Sequence, residues 1–516
     1  MSWRVGWPAL SPAWMRAAFA PALAFIATAA NHAYLYDFWH HLARGRAMVE
    51  TGGIVNQDLF TCTIAGQPIQ DIGWLAQVFY YVVYSRAGLP VLELINSLLI
   101  ALAIGIIVHI AWRQTGSMGI AAVAGTFAFL GAWQSLTLRP QTFSLVLFAI
   151  LYDLLSLAEE RSYWLLPVPL VMALWVNLHG AFVAGLILVG GFAAGVTWDA
   201  WPDGLRRPRV WCWWLCALAA CAATLVNPYG WGAYRFVSQT ATAATARPIT
   251  EWLPPSPDLW VGKFWIVSLA LVVLLLATRP RPAARDVILI LCFLPLAASS
   301  VRMVVWWAII ITPPLARALA ALRPAKATAA EPPGTAPAAC FAAIIGAALF
   351  CAPGLDRFNP LLPAARRAPS ITDQSLEGIV SYMAENEAPG AVFCRFEWGA
   401  FLNYHLGHGF PVFMDGRIDA YPDRVWEEYA TVTAGRPAWL GILDRYRVNY
   451  LVLDRSYHAE TGLLDAALAS GKWRKVHTAG EAILLVRNKT TGPVALKTTP
   501  TRSVSEEYRS FVSWPR

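Results

Sequence analysis

Apolar runs fill most of the first 354 residues, and many of them approach the roughly 20 residues that a helix needs to cross a bilayer. Short polar loops separate the runs, which is the pattern of a polytopic α-helical membrane protein. We predict about eleven spans. The segment 163–198 is too long for one straight crossing, and we count it as a single span broken at WVNLHGAF, where Asn177 and His179 interrupt the apolar run. The predicted spans are 17–36, 73–89, 91–112, 118–137, 140–158, 163–198, 210–227, 261–278, 285–300, 302–322 and 337–353.

Composition and charge support this class of protein. Hydrophobic residues make up 57% of the 516 residues and charged residues only 14%, which is too apolar for a soluble protein of this size. The net charge of +8 lies largely in short loops between spans, so it predicts orientation in a lipid bilayer rather than binding to nucleic acid. With the N-terminus inside, the basic loops 203–209, 279–286 and 322–326 face the cytoplasm. The loops 37–72 and 228–260, and the chain after 354, then lie on the outer face.

The composition changes after the last predicted span, which closes a transmembrane domain at 1–354. Residues 371–488 alternate short β-branched or aromatic runs with amphipathic segments, which predicts an extracytoplasmic α/β domain. Strands are predicted at AVFCRF, PVFMDG, NYLVLD and AILLVRN. The Thr/Ser-rich segment 489–516 is predicted to be a disordered tail.

Three charged residues lie at predicted outer ends of spans. Asp37 follows the first span in YDFWHHLARGR, a segment whose pattern suits a helix along the membrane surface, and a capping role for Asp37 is the alternative. Glu251 lies in the outer loop 228–260 beside a Pro-rich run. Arg302 opens a late span, where it suits either a lipid-linked phosphate or a side chain that reaches to the interface.

Two further polar groups need an explanation. Asn177 and His179 interrupt an apolar segment, so they line a cavity or form a hydrogen-bonded helix break. A second group, in the soluble domain, mixes acids, arginine and an aromatic ring near strand ends, which suits a polar-ligand surface or, alternatively, a buried structural network. Its members are Glu397, Trp398, Asp415 and Arg417.

The chain contains no Walker motif, GxGxxG, GxSxG or HExxH, so nucleotide-driven pumping and serine hydrolysis have no support in the sequence. A transporter of lipid-linked glycans would be expected to show internal repeats and ionisable residues deep in several spans. Neither is evident beyond Asn177 and His179.

Four stretches in order resemble motifs of the GT-C superfamily of polyprenyl-lipid-dependent glycosyltransferases, and their order is most similar to the catalytic subunit of oligosaccharyltransferase. The stretches are YDFWHHLARGR with Asp37, PITEWLPPSPDLW with Glu251, VRMVVWWAIIITP with Arg302, and FEWGAFLNYHL followed by FMDGR. The chain also resembles a group of bacterial membrane proteins that carry D-x-W-x-H-L, NLHG and DGR stretches.

The resemblance implies a GT-C-like fold in a bacterial plasma membrane. It implies an inverting glycosyltransferase that takes a sugar from a polyprenyl-phosphate-linked donor on the outer face. Within this interpretation the candidate catalytic acids are Asp37, Glu251 and Asp71. The candidate donor-phosphate ligands are Arg302, His40, His41 and Arg44. The soluble-domain group that contains Glu397 lies on the acceptor side.

The chain also departs from the family pattern. The DxD-type acidic pair of the next outer loop is absent, and the loop near 112–118 that we align with it carries RQTGSMG. The WWDYG motif is only partly kept. In the family these acids hold a divalent metal and WWDYG grips a peptide acceptor, so metal use and the acceptor both stay open. A non-catalytic GT-C-like scaffold is therefore the main alternative function, and a lipid-linked glycan transporter is a lesser one.

Overall fold

The computed structural model describes residues 11–30, 36–133, 136–203, 206–245, 250–277, 281–322, 333–354, 371–417 and 420–488. Within these ranges the chain forms nineteen α-helices and one four-stranded sheet. The predicted disordered tail, 489–516, lies outside the described residues.

The first thirteen helices form the bundle and the two amphipathic helices beside it. They are α1 (Pro12–Ala29), α2 (Tyr36–Thr51), α3 (Trp74–Thr115), α4 (Met118–Ala132), α5 (Gln141–Ala158), α6 (Val168–Leu178), α7 (Phe182–Asp199), α8 (Pro208–Ala223), α9 (Gly232–Thr245), α10 (Trp260–Ala277), α11 (Ala284–Ser299), α12 (Val304–Ala321) and α13 (Thr335–Phe350). Five described helices are individually long and apolar enough to cross a membrane, and shorter apolar helices lie among them. The count of about eleven spans therefore stays a prediction.

The predicted spans 73–89 and 91–112 are two helical arms of α3 that meet at a kink, and the first arm packs under the soluble domain, which corrects the prediction of two separate crossings. The two arms together have 42 residues, about twice the number that one crossing needs. Helix α3 bends at Gly88, whose φ of 76° lies in the left-handed region, two residues before Pro90. Only the part after Pro90 is needed for a crossing, and the part before it packs beneath the soluble domain through Tyr80 and Tyr84.

The segment 163–198 is interrupted at the predicted polar break, but both of its arms are helices of the bundle. Helix α6 ends at Leu178, His179 is extended, and α7 starts at Phe182. The turn between the two arms lies beside the start of α3, since Leu178 and Gly180 approach Gly73 and Ile72. The outer ends of both arms lie at the opposite end of the bundle, where Arg209 and Arg285 contact Glu159, so the arms run in opposite directions. The segment is therefore a hairpin and not the single broken span that we predicted.

Ion pairs mark one end of the bundle, which we call the far end. There Arg113 faces Asp153 at 3.7 Å, and Arg317 pairs with Asp286. The predicted cytoplasmic loops 203–209, 279–286 and 322–326 all adjoin helix termini at this end, in the parts that the structure describes. The opposite end, called the domain end, carries the soluble domain. The predicted orientation of these two ends in a bacterial membrane stays a prediction.

The soluble domain places six helices around a mixed sheet. Its helices are α14 (Ile371–Asn386), α15 (Phe396–Leu406), α16 (Asp423–Thr433), α17 (Trp439–Arg445), α18 (Arg455–Thr461) and α19 (Leu463–Ala469). The strands are β1 (Ala391–Cys394), β2 (Val448–Asp454), β3 (Trp473–Ala479) and β4 (Ala482–Arg487), in the order β1-β2-β4-β3 with only β1 and β2 parallel. Three predicted strands are present, β3 was not predicted, and PVFMDG contributes only bridges at Val412.

Backbone hydrogen bonds join the loop after α2 to the soluble domain. The Cys62 amide donates to the Val412 carbonyl at 2.9 Å, and the Val412 amide donates to Phe60 at 3.0 Å. Val412 also bridges to Val392 in β1, so the loop extends the edge of the sheet. The loop and the domain therefore form one packed unit at the domain end of the bundle.

Helix α2 is sandwiched between α3 and α15. The Trp39 ring packs against Phe401 of α15, with ring centroids 5.0 Å apart, and Phe38 packs on Tyr80 of α3. A Cβ at Gly45 would overlap the backbone of Gln77, so this glycine permits the close approach of α2 to α3. The predicted amphipathic helix is present, but protein covers its apolar side, which corrects the prediction that it lies on the membrane surface.

A buried ion network locks the same unit together. Arg417 binds Asp415 through Nε at 2.8 Å and Asp58 of the loop through Nη1 at 2.6 Å. Tyr421 donates to Asp415 at 2.8 Å, and Thr61 donates to Asp58 at 2.7 Å. Burial acts to raise the pKa of Asp415, but Arg417 holds it below its ordinary value. The single guanidinium thus contacts both buried carboxylates, and a buried charge requires such a partner.

Removal of one member of this network is expected to destabilise the fold strongly. Arg417→Gln leaves two buried carboxylates, Asp58 and Asp415, without a cation, so the expected loss is about 3–5 kcal/mol, seen as a lower midpoint of thermal unfolding in detergent. The control is Arg424→Ala, because Arg424 is exposed and pairs with Glu428 one turn away, where the loss should stay within about 0.5 kcal/mol. Equal effects of the two substitutions would contradict the assignment.

Candidate active site

Four side chains from four distant parts of the chain form a row of alternating charge at the domain end. Arg139 forms an ion pair with Asp37 at 2.9 Å and donates to Glu251 at 2.7 Å, so one guanidinium bridges two carboxylates. Arg302 follows, with its Nε 3.9 Å from Glu251. The sequence prediction named three of these residues, and the structure brings all three together. It did not name Arg139.

Each member of the row is held by its own element. Asp37 lies in the first turn of α2, where the helix dipole favours a negative charge. Arg139 precedes α5, and Glu251 lies in the short 3₁₀ turn Thr250–Trp252. The Ser300 hydroxyl donates to the Glu251 carbonyl at 2.9 Å, which ties this turn to the start of α12. The arrangement therefore depends on the tertiary fold and not on local sequence.

Arg302 is oriented by contacts on two sides. Its guanidinium lies 5.0 Å from the Trp252 ring centroid, within the range of a cation–π interaction. Its Nη2 donates to Gln141 at 3.3 Å. About a quarter of its side chain, 28%, is exposed, so Arg302 is both positioned and accessible to an anion.

The two carboxylates of the row differ in acidity. Burial raises the pKa of Asp37 above its ordinary value, and Arg139 offsets this only in part. Burial also acts to raise the pKa of Glu251, but Arg139 and Arg302 together hold it below its ordinary value. Asp37 is nevertheless accessible, since 32% of its side chain is exposed. Neighbouring acids with separated pKa values can take different roles in acid–base chemistry.

The soluble domain covers Asp37 with a glycine. A Cβ built on Gly416 would lie 3.3 Å from Asp37 Oδ1, which leaves little room for any side chain. Gly416 stands between Asp415 and Arg417, the two residues of the buried ion network. The network therefore holds this glycine over Asp37. Asp415 and Arg417 themselves are buried and bound to each other, which fits the alternative of a buried structural network and not the role of acceptor ligands.

The polar face of α2 continues from Asp37 into a second cluster. Arg44 Nη1 binds Asp71 at 2.9 Å, and Gly73 and Gln77 also donate to this carboxylate. Asp71 is therefore buried and fully engaged, which does not suit the predicted role of a second catalytic acid. Among the described residues, Arg44 Nε and Nη2 have no hydrogen-bond partner although Arg44 is only 5% exposed. Buried donors of this kind are expected to meet an acceptor.

The two histidines of α2 are neutral at physiological pH. Burial lowers the pKa of His41 to about 4, and the nearby arginines oppose the pull of Asp71. Burial and the adjacent His41 and Arg44 lower the pKa of His40 well below its ordinary value. Neutral rings of this kind can hydrogen-bond to a phosphate without supplying positive charge, and the predicted role of both histidines as phosphate ligands stays a prediction.

Asn177 and His179 are satisfied by internal hydrogen bonds. Asn177 accepts from Trp74 at 2.8 Å and donates to the Val226 carbonyl at 2.8 Å. His179 Nδ1 lies 2.8 Å from the Ser144 hydroxyl. The geometry supports the alternative of a hydrogen-bonded helix break at this point rather than a cavity lining.

Trp398 borders a crevice in the soluble domain, and Glu397 pairs with Arg395, which also lines it. A cavity of about 320 Å³ is lined by Trp398 and Arg395, among others. Arg395 pairs with Glu397 at 3.3 Å and with Asp454 at 2.8 Å, so its charge is already compensated. The predicted acceptor role of these two residues stays a prediction.

No group of three or more His, Cys, Asp or Glu side chains able to hold a metal ion occurs among the described residues. The loop near 112–118, which we aligned with the metal-binding loop of the family, lies at the far end, where Gln114 contacts Arg317. That alignment is therefore wrong. The loop that does reach Asp37 is the one between α4 and α5, and it carries Arg139.

No established sequence family matches the chain, and no curated protein matches it by sequence. Solved structures do match. The archaeal oligosaccharyltransferase AglB from Archaeoglobus fulgidus, in complex with an inhibitory peptide and a dolichol-phosphate, is similar with a TM-score of 0.54 and 12% identity over 92% of this chain and 74% of that chain. ArnT from Cupriavidus metallidurans in the apo state has a TM-score of 0.48 and 15% identity over 90% of this chain and 96% of that chain.

The chain shares the GT-C fold. At 12% identity the likeness to AglB concerns the fold, and it confirms the resemblance predicted from four short stretches. It also agrees with a membrane bundle that carries one soluble domain at one end. The likeness in fold extends over 92% of the chain.

The opposite pKa shifts predict opposite effects of two amide substitutions on stability. Since the pKa of Asp37 is raised in the folded state, ionised Asp37 destabilises the fold at neutral pH, and Asp37→Asn should raise the midpoint of thermal unfolding. Glu251 has a lowered pKa, so its ionised form stabilises the fold and Glu251→Gln should lower the midpoint. Intrinsic tryptophan fluorescence during heating in detergent measures both.

The difference for Asp37→Asn should disappear as the pH falls from the raised pKa of Asp37 to the ordinary carboxyl pKa of about 4. The difference for Glu251→Gln should shrink only below about 4, as the pH falls through the lowered pKa of Glu251. Shifts of the same sign for both variants at pH 7 would refute the assignment of separated acidities.

Proposed function

We propose that the protein is a glycosyltransferase of a bacterial plasma membrane. It takes a sugar from a polyprenyl-phosphate-linked donor and transfers it to an acceptor at the domain end, which is the extracytoplasmic end. The observation that carries the proposal is the row Asp37, Arg139, Glu251 and Arg302, set under the soluble domain in a GT-C fold. The row combines a carboxylate of raised pKa with an accessible arginine, as this reaction requires.

Asp37 is the proposed general base. A base of raised pKa is better matched to proton transfer near neutral pH than an ordinary carboxylate. It takes a proton from the acceptor as the acceptor atom bonds to the anomeric carbon of the sugar. The bond from that carbon to the phosphate oxygen breaks, and the electron pair leaves with the lipid phosphate. Attack opposite the leaving group inverts the anomeric configuration.

Arg302 and Arg44 are the proposed ligands of the phosphate. A guanidinium binds phosphate oxygens in a bidentate manner and stabilises the charge that forms on the leaving group. Arg302 is oriented by Trp252 and is partly exposed at the start of α12. Arg44 offers two buried donors without partners among the described residues. His40 and His41 contribute hydrogen bonds from neutral rings.

The proposal assigns Asp37 a chemical role that its amide cannot fill. Asp37→Asn is expected to lower the transfer rate by roughly 10²–10⁴-fold, the usual contribution of a positioned general base. The assay follows sugar transfer in vesicles that contain the purified protein and a polyprenyl-phosphate sugar. Glu50→Gln is the matched control, since Glu50 lies on the same helix, is 44% exposed and forms an ion pair with Arg46 instead of with the charged row.

Full transfer by Asp37→Asn would reject Asp37 as the base. Wild-type vesicles that bind the lipid but transfer no sugar to any acceptor would favour the non-catalytic scaffold. Movement of intact lipid-linked sugar across the vesicle membrane would favour the transporter.

The phosphate ligands are tested separately from the chemistry. Native mass spectrometry of gently purified wild type is expected to show bound polyprenyl phosphate or its sugar adduct. Arg302→Ala and Arg44→Ala should reduce this bound fraction about tenfold or more, because each removes a charge-assisted contact of about 1.5–3 kcal/mol. Arg46→Ala is the control, as Arg46 lies two residues beyond Arg44 but pairs with Glu50. Equal lipid retention in all variants would remove the phosphate site.

A further inference from the structure

A divalent metal is implied by the GT-C resemblance, and the structure permits a test of whether the residues present fit one. A metal between two carboxylates needs open coordination positions and several oxygen ligands. Asp37 and Glu251 do face each other across a small gap, as metal-binding acids would. The gap, however, is filled by the guanidinium of Arg139, which contacts both carboxylates within 2.9 Å.

The side chains around this gap carry too much positive charge to suit a bound cation. Besides Asp37 and Glu251, the charged groups that face it are Arg139 and Arg302, and no third acid or histidine joins them to form a metal cluster in the described ranges. A metal ion would have to displace Arg139 and bind beside the charge of Arg302. The residues therefore do not fit a divalent metal while Arg139 is in place.

We propose that the Arg139 guanidinium takes the place of a divalent cation between Asp37 and Glu251, so that glycosyl transfer at this site needs Arg139 and no metal. The part on transfer rests on the proposed function, whereas the part on metal exclusion does not. Arg139 is a positioning residue in this scheme. It holds the two carboxylates at a fixed separation, compensates their charge and leaves Asp37 able to accept a proton.

Arginine suits this task better than lysine. Its planar fork presents parallel donors to carboxylates on two sides, and it keeps its charge at every physiological pH. The Pro140 ring follows directly and α5 begins at the next residue, so the backbone of Arg139 is fixed at the helix start. The fixed charge is thus built into the loop between α4 and α5.

Manganese binding tests the metal part without any sugar transfer. The full-length protein in detergent is titrated with Mn²⁺, and free Mn²⁺ is followed by electron paramagnetic resonance. Wild type should bind Mn²⁺ weakly. Arg139→Ala opens a site between two carboxylates and should bind at least tenfold more tightly. Arg139→Lys keeps the positive charge and should resemble wild type, and Arg139→Ala with Asp37→Asn should return to the wild-type affinity.

Stoichiometric binding of Mn²⁺ by the wild type that Asp37→Asn abolishes would overturn the proposal. So would an Arg139→Ala protein that is folded, by its unfolding midpoint, yet binds no more tightly than wild type. Arg139→Gln, which nearly keeps the side-chain size, replaces Arg139→Ala if the smaller residue prevents folding.

The transfer part is tested by chelation. Wild-type transfer should be unchanged in excess EDTA, and Arg139→Gln should lose it. Transfer that stops with EDTA and returns with Mg²⁺ or Mn²⁺ would overturn this part. Absence of all transfer in the wild type would count against the proposed function, while the Mn²⁺ titration would still decide the metal part.

Discussion

The bridge from Arg139 to Asp37 and Glu251 is the interaction on which the domain end depends. Two carboxylates at the end of an apolar bundle repel each other and are poorly solvated, so they need a cation between them. Arg139 provides it, and the residues around the bridge act on its geometry. The 3₁₀ turn of Glu251 is tied to Ser300, while Asp37 begins a helix that is clamped by α3 and α15. Each acid therefore reaches the same guanidinium from a rigid element.

The soluble domain forms part of this site, because the ion network that attaches it to the loop after α2 also holds Gly416 over Asp37. The buried triad of Asp58, Arg417 and Asp415 joins the loop after α2 to the domain. Gly416 lies within that triad and approaches Asp37. A shift of the domain would thus change the space above Asp37 as well as break buried ion pairs. This coupling explains why the acidic and basic residues of FMDGR are buried while its glycine lies over Asp37.

Hydrophobic periodicity was sufficient to predict the class of protein, most helices and three of the four strands, but it could not predict how helices are joined. Gly88 and Pro90 do interrupt the apolar stretch, but the arm before them packs under the soluble domain and is not a crossing. The segment 163–198 has the punctuation of one broken span, yet it is a hairpin. The first error adds one crossing and the second removes one, so the predicted side of the membrane for every later loop was unaffected.

The loop between α4 and α5, which contains Arg139, lies between these two errors and was therefore assigned to the wrong end of the bundle. With one crossing too many before it, the predicted topology places Arg139 at the cytoplasmic end, far from Asp37. The signal was present as an arginine just before an apolar run in LRPQT, the same pattern that identified Arg302. The contact itself is not readable from sequence, since 102 residues separate Asp37 from Arg139 and a further 112 separate Arg139 from Glu251.

A fixed guanidinium and an exchangeable metal impose different requirements on the rest of such a site. A divalent ion binds both protein carboxylates and substrate phosphate, so it can hold the donor itself. Arg139 is already engaged by two carboxylates, and phosphate must be met by other groups. The structure has such groups in Arg302, which is accessible, and Arg44, whose donors are unused among the described residues. A cation that only bridges two carboxylates therefore requires other arginines to meet the phosphate, and Arg302 beside Glu251 and Arg44 in the adjacent cluster are suited to that task.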